Sequence, residues 1–314
     1  MHHLLAYNKY MKTFHSLWQN VHSIIRGNQT QLELALTALI CGRHVLIEDI
    51  PGKGKTLIAK VLGKIFHLDF KRIQFTNDLM PSDMIGHQFF QQQRQEFIFR
   101  KGPIFGDIVL ADEINRASPR TQSALLQAME EKKVTIENET FSLSEVFFVM
   151  ATQNPREQAG TAPLPESQLD RFLFKFAMGD LSEVEEKELL RAGPQHQAVE
   201  ELAPLFQKVD ILQWRKTAKT VKVPETIIDW TSEYLQKSRN DVQVLPLGAR
   251  AGIDFIDALK AYAFLQGREV VAPEDVAFLF PFVFAHRLFA SKRLSVAQEF
   301  VEAKAWLHGT HLSK

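Results

Sequence analysis

Cysteine is almost missing: Cys41 is the only one in 314 residues, so no internal disulfide and no cysteine-built zinc site can form, which fits a reducing compartment. Neither sign of charge is in excess. Thirty-seven Lys and Arg face 37 Asp and Glu, so the chain lacks the basic footprint expected of a nucleic-acid binder. Long apolar runs are also missing. The most apolar stretch, Val276 to Ala285, is interrupted by Pro281 and flanked by Asp275, His286 and Arg287, well short of the roughly twenty residues of a membrane span. The start, Met1-His2-His3-Leu4-Leu5-Ala6-Tyr7, has no charged region followed by a long apolar run, so no signal peptide is predicted. These absences predict a soluble cytoplasmic protein without a membrane span or a nucleic-acid partner, and the length predicts two domains.

The first half alternates strand-like and helix-like stretches, which predicts a parallel sheet with helices on both faces. Short apolar strands are expected at Val45 to Ile47, Arg72 to Phe75, Ile108 to Leu110, Val146 to Ala151 and Phe174 to Phe176. Helices are expected from Gln31 to Cys41, Thr56 to Phe66, Pro119 to Lys132 and around Pro165 to Phe172. From Glu183 onward every periodic segment is helical, which predicts an all-helical second domain. Between the second and third strands, aromatic runs at Phe89-Phe90 and Phe97-Ile98-Phe99 flank a polar tip, the pattern of a β-hairpin inserted near 87–100. The expected division is an N-terminal segment at 1–20, an α/β core at 21–178 and a helical domain at 179–314.

Chemistry enters at Asp49-Ile50-Pro51-Gly52-Lys53-Gly54-Lys55-Thr56, which follows a strand and opens a helix. This is a phosphate-binding loop, in which glycines let backbone N–H groups turn inward around an anion at a helix N-terminus. Pro51, Gly52, Lys53, Gly54, Lys55, Thr56 and Leu57 form the expected nucleotide-binding set, with Lys55 supplying charge and Thr56 a hydroxyl for Mg²⁺. Asp49 stands where the pattern has its first glycine. Hydrolysis also needs carboxylates, and the apolar run Ile108 to Ala111 delivers Asp112 and Glu113 to the carboxyl end of a central strand. Asp112 is expected in the Mg²⁺ shell and Glu113 as the group that orients and polarises water. Asn154, at the end of the next buried strand, is expected to bond near the γ-phosphate or the water.

Four ordered strings make the reading more specific: Asp112-Glu113-Ile114-Asn115-Arg116-Ala117, Ser123 to Glu131, Ala151-Thr152-Gln153-Asn154-Pro155, and Leu164 to Phe172. Together they closely resemble the MoxR family of AAA+ ATPases over roughly Ile24 to Leu288. The resemblance extends to Ala272-Pro273-Glu274-Asp275-Val276 and Ala285-His286-Arg287. It implies a three-layer αβα AAA+ core with a parallel sheet, a C-terminal all-helical lid, and ATP with Mg²⁺ as cofactors. It further implies that Arg171 is offered across a subunit interface and that Arg250 reads the nucleotide of its own subunit from the lid. A ring, expected to be hexameric, acting chaperone-like on a protein client or a von Willebrand factor A domain protein also follows from the resemblance. A nucleic-acid-associated motor or loader is the alternative reading, and a small-molecule kinase, which would not need Arg171 or Arg250, is a third.

Overall fold

The computed structural model describes residues 17–308 apart from 23, 51, 94, 138, 156–161, 194 and 293. Most of the expected N-terminal segment therefore lies outside the described residues. The strands are β1 (His44–Glu48), β2 (Phe70–Gln74), β3 (Gly86–Gln91), β4 (Glu96–Lys101), β5 (Ile108–Asp112), β6 (Lys133–Ile136), β7 (Glu139–Ser142), β8 (Phe148–Gln153) and β9 (Phe172–Phe176). Five of them form one sheet in the order β2-β5-β8-β1-β9, with every neighbour parallel. Parallel strands covered on both faces read as unbroken apolar runs, and β5, β8 and β9 are almost wholly buried. β2 is an edge strand and carries exposed Lys71 and Arg72, which discourage pairing with another chain.

Alternation along the strands splits the core into two layers. Val45, Ile47, Ile108, Leu110, Phe148 and Met150 face the helices α1 (Gln29–Cys41) and α2 (Lys55–Ile65). Leu46, Val109, Ala111, Val149 and Ala151 face the opposite side with Leu125, Leu126 and Met129. This is a helix–sheet–helix sandwich. The short helix α3 (Pro81–Ile85) leads into the β3–β4 hairpin, and α4 (Pro119–Glu131) leads into β6–β7. α1 ends at Gly42, whose φ of 67° lets its N–H and that of Arg43 return to the carbonyls of Leu39 and Ala38.

After β9 the chain is helical: α6 (Glu183–Ala192) through α8 (Lys208–Ala218), then α9 (Glu225–Asn240), α10 (Ala249–Leu265), α11 (Pro273–Leu288) and α12 (Val296–His308). The expected boundary at 178/179 falls in the connection between Phe176 and Glu183. The lid helices join the core layer of α1 and α2 through Phe255, Phe280 and Phe284. Among the described residues, no helix is long and apolar enough to cross a membrane.

Three expectations need correction, and one element was not foreseen. β2 begins at Phe70 and ends at Gln74, because Asp112 pairs with Gln74 and the sheet stops there. β8 begins at Phe148, since Phe147 turns back to Ser144. The helix expected around Pro165 to Phe172 is the single turn α5 (Glu166–Leu169), because Phe172 already pairs with His44 of β1. The hairpin β6–β7 was not anticipated, its strands being short and mostly exposed. In the expected hairpin, Phe89, Phe90 and Phe97 are exposed, whereas Phe99 packs on Phe105 and on Phe141 of the second hairpin.

One buried polar residue ties the layers together. His44 accepts the Val149 N–H at Nδ1 (3.0 Å), so its proton lies on Nε2, which donates to the Met129 carbonyl (3.2 Å). Burial pushes its pKa down to about 3. The folded state therefore refuses a proton that the unfolded chain accepts near pH 6.5. Stability is full above pH 6.5 and falls as the pH drops toward 3, by up to about 1.4 kcal/mol per unit for this residue. Denaturant titrations of His44→Gln between pH 7 and 4.5 are expected to show a shallower decline than the parent. Equal slopes would assign the pH dependence elsewhere, the buried His286, whose pKa is also lowered, being the next group to test.

Candidate active site

The loop between β1 and α2 has the geometry its glycines predict. Gly52 and Gly54 sit at φ of 87° and 88°, a left-handed conformation that side chains resist. Gly54 caps α2, and no acidic residue occupies the first turn of that helix, so its N-terminal N–H groups can receive an anion without a competing carboxylate in that turn. Lys55 is only 9 % exposed and donates to the Asp49 carbonyl at 2.7 Å, bending back over its own loop. Burial lowers its pKa, while the charges of Asp112, Asp49 and Glu113 oppose that shift. Thr56 and Leu57 are half-buried in the first turn. Pro51 lies outside the described residues.

Asp49 is explained by its bonds. Its carboxylate accepts from the Ile50 N–H (2.7 Å) and the Met178 N–H (2.9 Å), and its own N–H donates to Gln153 (3.1 Å). A glycine would leave the Met178 amide without this acceptor, so the departure from the pattern fastens the loop to the exit of β9. Lys53 pairs with Asp180 further along the same exit.

The sheet register sets the rest of the site. Ala111 of β5 pairs with Ala151 of β8, and Glu48 of β1 with Gln153, so the phosphate loop, Asp112 and Asn154 all follow neighbouring carboxyl ends. Asp112 accepts from the Thr152 hydroxyl (2.7 Å) and from Arg72 (2.6 Å). The same Thr152 oxygen accepts the Glu113 N–H at 2.9 Å. Glu113 itself sits at φ 58°, a costly conformation for a residue with a side chain, and its carboxylate is held by Gln74 (3.0 Å) and Arg116 (2.9 Å). Asn154 is 6 % exposed between the two carboxyl ends. Among the described residues no cluster of three His, Cys, Asp or Glu could cage a metal. The Asp112 carboxylate, held by Thr152 and Arg72, fits the needs of Mg²⁺, which keeps waters and takes few protein ligands beyond a carboxylate and phosphate oxygens. Asp112 and the Thr56 hydroxyl are the residues that would hold it.

A cavity of about 660 Å³ adjoins the loop through Asp180 and is lined by Ile25, Arg26, Gly27, Thr30 and Leu181. Next to two of its lining residues, Gly27 and Asp180, two backbones approach closely: a Cβ on Gly179 would lie 2.6 Å from the Gly27 carbonyl, and the Gly179 N–H donates to Asn28 (2.8 Å). The sequence carried a weak signal for this cavity in Gly27, placed just before α1. Thr152, Arg72 and Gln74 had no such signal, because their roles depend on which strands become neighbours.

Arg171 and Arg250 lie elsewhere. Arg171 precedes β9 and donates to the Leu126 carbonyl (2.7 Å), and it pairs with Glu130 at 2.6 Å. Arg250 pairs with the other oxygen of Glu130 at 3.1 Å. Glu130 lies in the last turn of α4 next to Met129, whose carbonyl meets His44 at the amino end of β1. Both arginines are thus at the end of the sheet opposite the phosphate loop, which follows Glu48, about 13 Å away for four strand steps. In this structure Arg250, expected to read the nucleotide from the lid, is engaged by Glu130 instead.

Comparison with known proteins fits this arrangement. The model of the ATPase family associated with various cellular activities (AAA) matches residues 44–174, and that of the AAA lid domain matches 240–305. The chain is 45 % identical to the uncharacterized protein YeaC of Bacillus subtilis over 271 residues, 86 % of this chain and 85 % of the relative. It is 39 % identical to chaperone MoxR1 of Mycobacterium tuberculosis, over 85 % of this chain and 73 % of the relative. A crystal structure of a protein from Cytophaga hutchinsonii assigned as an ATPase superposes with a TM-score of 0.84 at 32 % identity, covering 95 % and 94 % of the two chains.

Thr152→Val keeps the side-chain shape and removes the hydroxyl shared by Asp112 and Glu113. Loss of a hydrogen bond to a charged group, about 2 kcal/mol, predicts a drop in ATP turnover on the order of 10- to 30-fold and a higher Mg²⁺ requirement. Turnover and Mg²⁺ dependence matching the parent would show that the hydroxyl does not organise the pair.

Proposed function

From the premise that this chain belongs to the MoxR family of AAA+ ATPases, we propose that it hydrolyses Mg-ATP in a ring and uses the cycle to remodel or mature a partner protein. The observation that carries the ring is the split of the machinery: phosphate loop, carboxylates and Asn154 at one end of the sheet, two partly exposed arginines at the other. One subunit cannot bring its own Arg171 to its own phosphate without unmaking the β1–β9 pairing. A neighbour can.

In this reading the base of ATP occupies the cavity beside Gly27 and Leu181, and the triphosphate displaces the Asp49 carbonyl from Lys55. Magnesium, when bound, offsets charge on the phosphate oxygens. Glu113 leaves Gln74 and Arg116, turns to the water and takes its proton as the oxygen attacks the γ-phosphorus, giving ADP and phosphate. Asn154 orients that water or a γ-oxygen. Arg171 and Arg250 of the adjacent subunit meet the charge that develops in the transition state, so hydrolysis waits for assembly.

We assign the ring as a hexamer working in the cytoplasm on a protein client or a von Willebrand factor A domain adaptor, without nucleic acid. The support for a client is the chaperone relative at 39 % identity. The balanced charge of the chain argues against a nucleic-acid track.

Lys55→Ala is expected to abolish nucleotide binding in a fluorescent-nucleotide titration. Glu113→Gln should bind normally yet release phosphate 10²- to 10⁴-fold more slowly, the range for a lost general base. Near-parental phosphate release by Glu113→Gln would remove Glu113 from the water-activating role. Held with ATP, the same variant should retain the client in a pull-down.

A further inference from the structure

Glu130 is oddly placed. It stands in the last turn of α4, where the helix dipole favours cations, and no basic residue occupies that turn. Its neighbour Glu131 is answered by the Gln127 amide at 2.9 Å. Glu130 is answered by two guanidinium groups, Arg171 on one carboxylate oxygen and Arg250 on the other. These three residues come from three different elements: the end of α4, the turn before β9, and the first turn of the lid helix α10. Two arginines brought together in one chain repel each other, and a carboxylate between them is what lets them stand side by side.

The geometry points to Glu130 as the positioning residue that holds Arg171 of the core and Arg250 of the lid as one two-guanidinium receptor for the neighbouring subunit's triphosphate. This inference rests on the reading that the arginines act across the interface. Side-chain exposures of 28 % for Arg171, 37 % for Arg250 and 44 % for Glu130 leave the group accessible to an incoming phosphate. Glu130 also links lid and core at this point, because its two oxygens bind one arginine from each. α4 begins three residues after Arg116, the partner of Glu113, and spans about 17 Å to Glu130. The helix that starts at a subunit's own water-activating carboxylate therefore ends at the receptor it offers next door.

The test uses full-length protein. Glu130→Ala should lower kcat by about tenfold or more with KM changed less than about twofold, since positioning acts on the transition state. Glu130→Asp, which keeps the charge, should recover part of the loss, and Glu130→Gln should fall between Ala and the parent. When Glu130→Ala subunits are mixed with Glu113→Gln subunits, their intact phosphate loops meet intact arginine pairs. Turnover per Glu130→Ala subunit should then rise severalfold. A kcat within twofold of the parent, or a loss that mixing does not relieve, would overturn the assignment. Arg171→Ala mixed with Glu113→Gln separates the two failures. Recovery there without recovery for Glu130→Ala sinks Glu130 alone, whereas no recovery in either, in rings shown to be mixed, sinks the trans reading and this inference with it.

Discussion

A parallel sheet has two unlike ends, and everything in this molecule follows from the five-residue distance between them. Hydrogen bonding in the order β2-β5-β8-β1-β9 gathers the phosphate loop, Asp112 and Asn154 at the carboxyl end. The same pairing, between His44 and Phe172, fixes Arg171 at the amino end. Neither group can move to the other without breaking ladders that run through a buried, densely apolar core. The separation is therefore a property of the fold and not of one conformation of a loop.

The lid is fastened to the core by buried charge as well as by packing. Lys175 of β9 lies between Glu48, the last residue before the phosphate loop, and Glu299 of α12, at 3.1 and 3.0 Å. Burial would strip its proton, but the two carboxylates outweigh it and hold its pKa above the usual value. Arg287 of α11 similarly bridges Asp170 (2.7 Å) and Asp254 (3.2 Å), and Arg43 reaches the second oxygen of Asp254. Such groups add little net stability against an apolar replacement, but removing one partner strands a charge. Their effect is to give the lid one seat. Asp170 precedes Arg171 and Asp254 lies one turn after Arg250, so that seat also sets where the two arginines stand.

What could be read from the chain was what is local in it. The glycine loop, the Asp112-Glu113 step after an apolar strand and the hairpin at Phe89 to Phe99 each declare themselves within a dozen residues, because backbone conformation and strand burial leave short-range marks. Strand order left no such mark, so Thr152 was visible only as part of a string and its bonds to Asp112 and Glu113 were not. The pairing of Arg250 with Glu130 left no mark for the same reason: the seat of the lid depends on Lys175, Arg287 and Asp254, which are far apart in sequence. The helix expected near Phe172 failed because pairing with β1 outweighs local helical spacing.

If one catalytic site is built from two subunits, hydrolysis must depend on assembly. The most direct measurement is ATP turnover per subunit across a dilution series, with assembly followed in the same samples by mass photometry. Turnover per subunit is expected to climb with the fraction assembled and to be near zero in the monomer. Full turnover by monomers, independent of concentration, would contradict it.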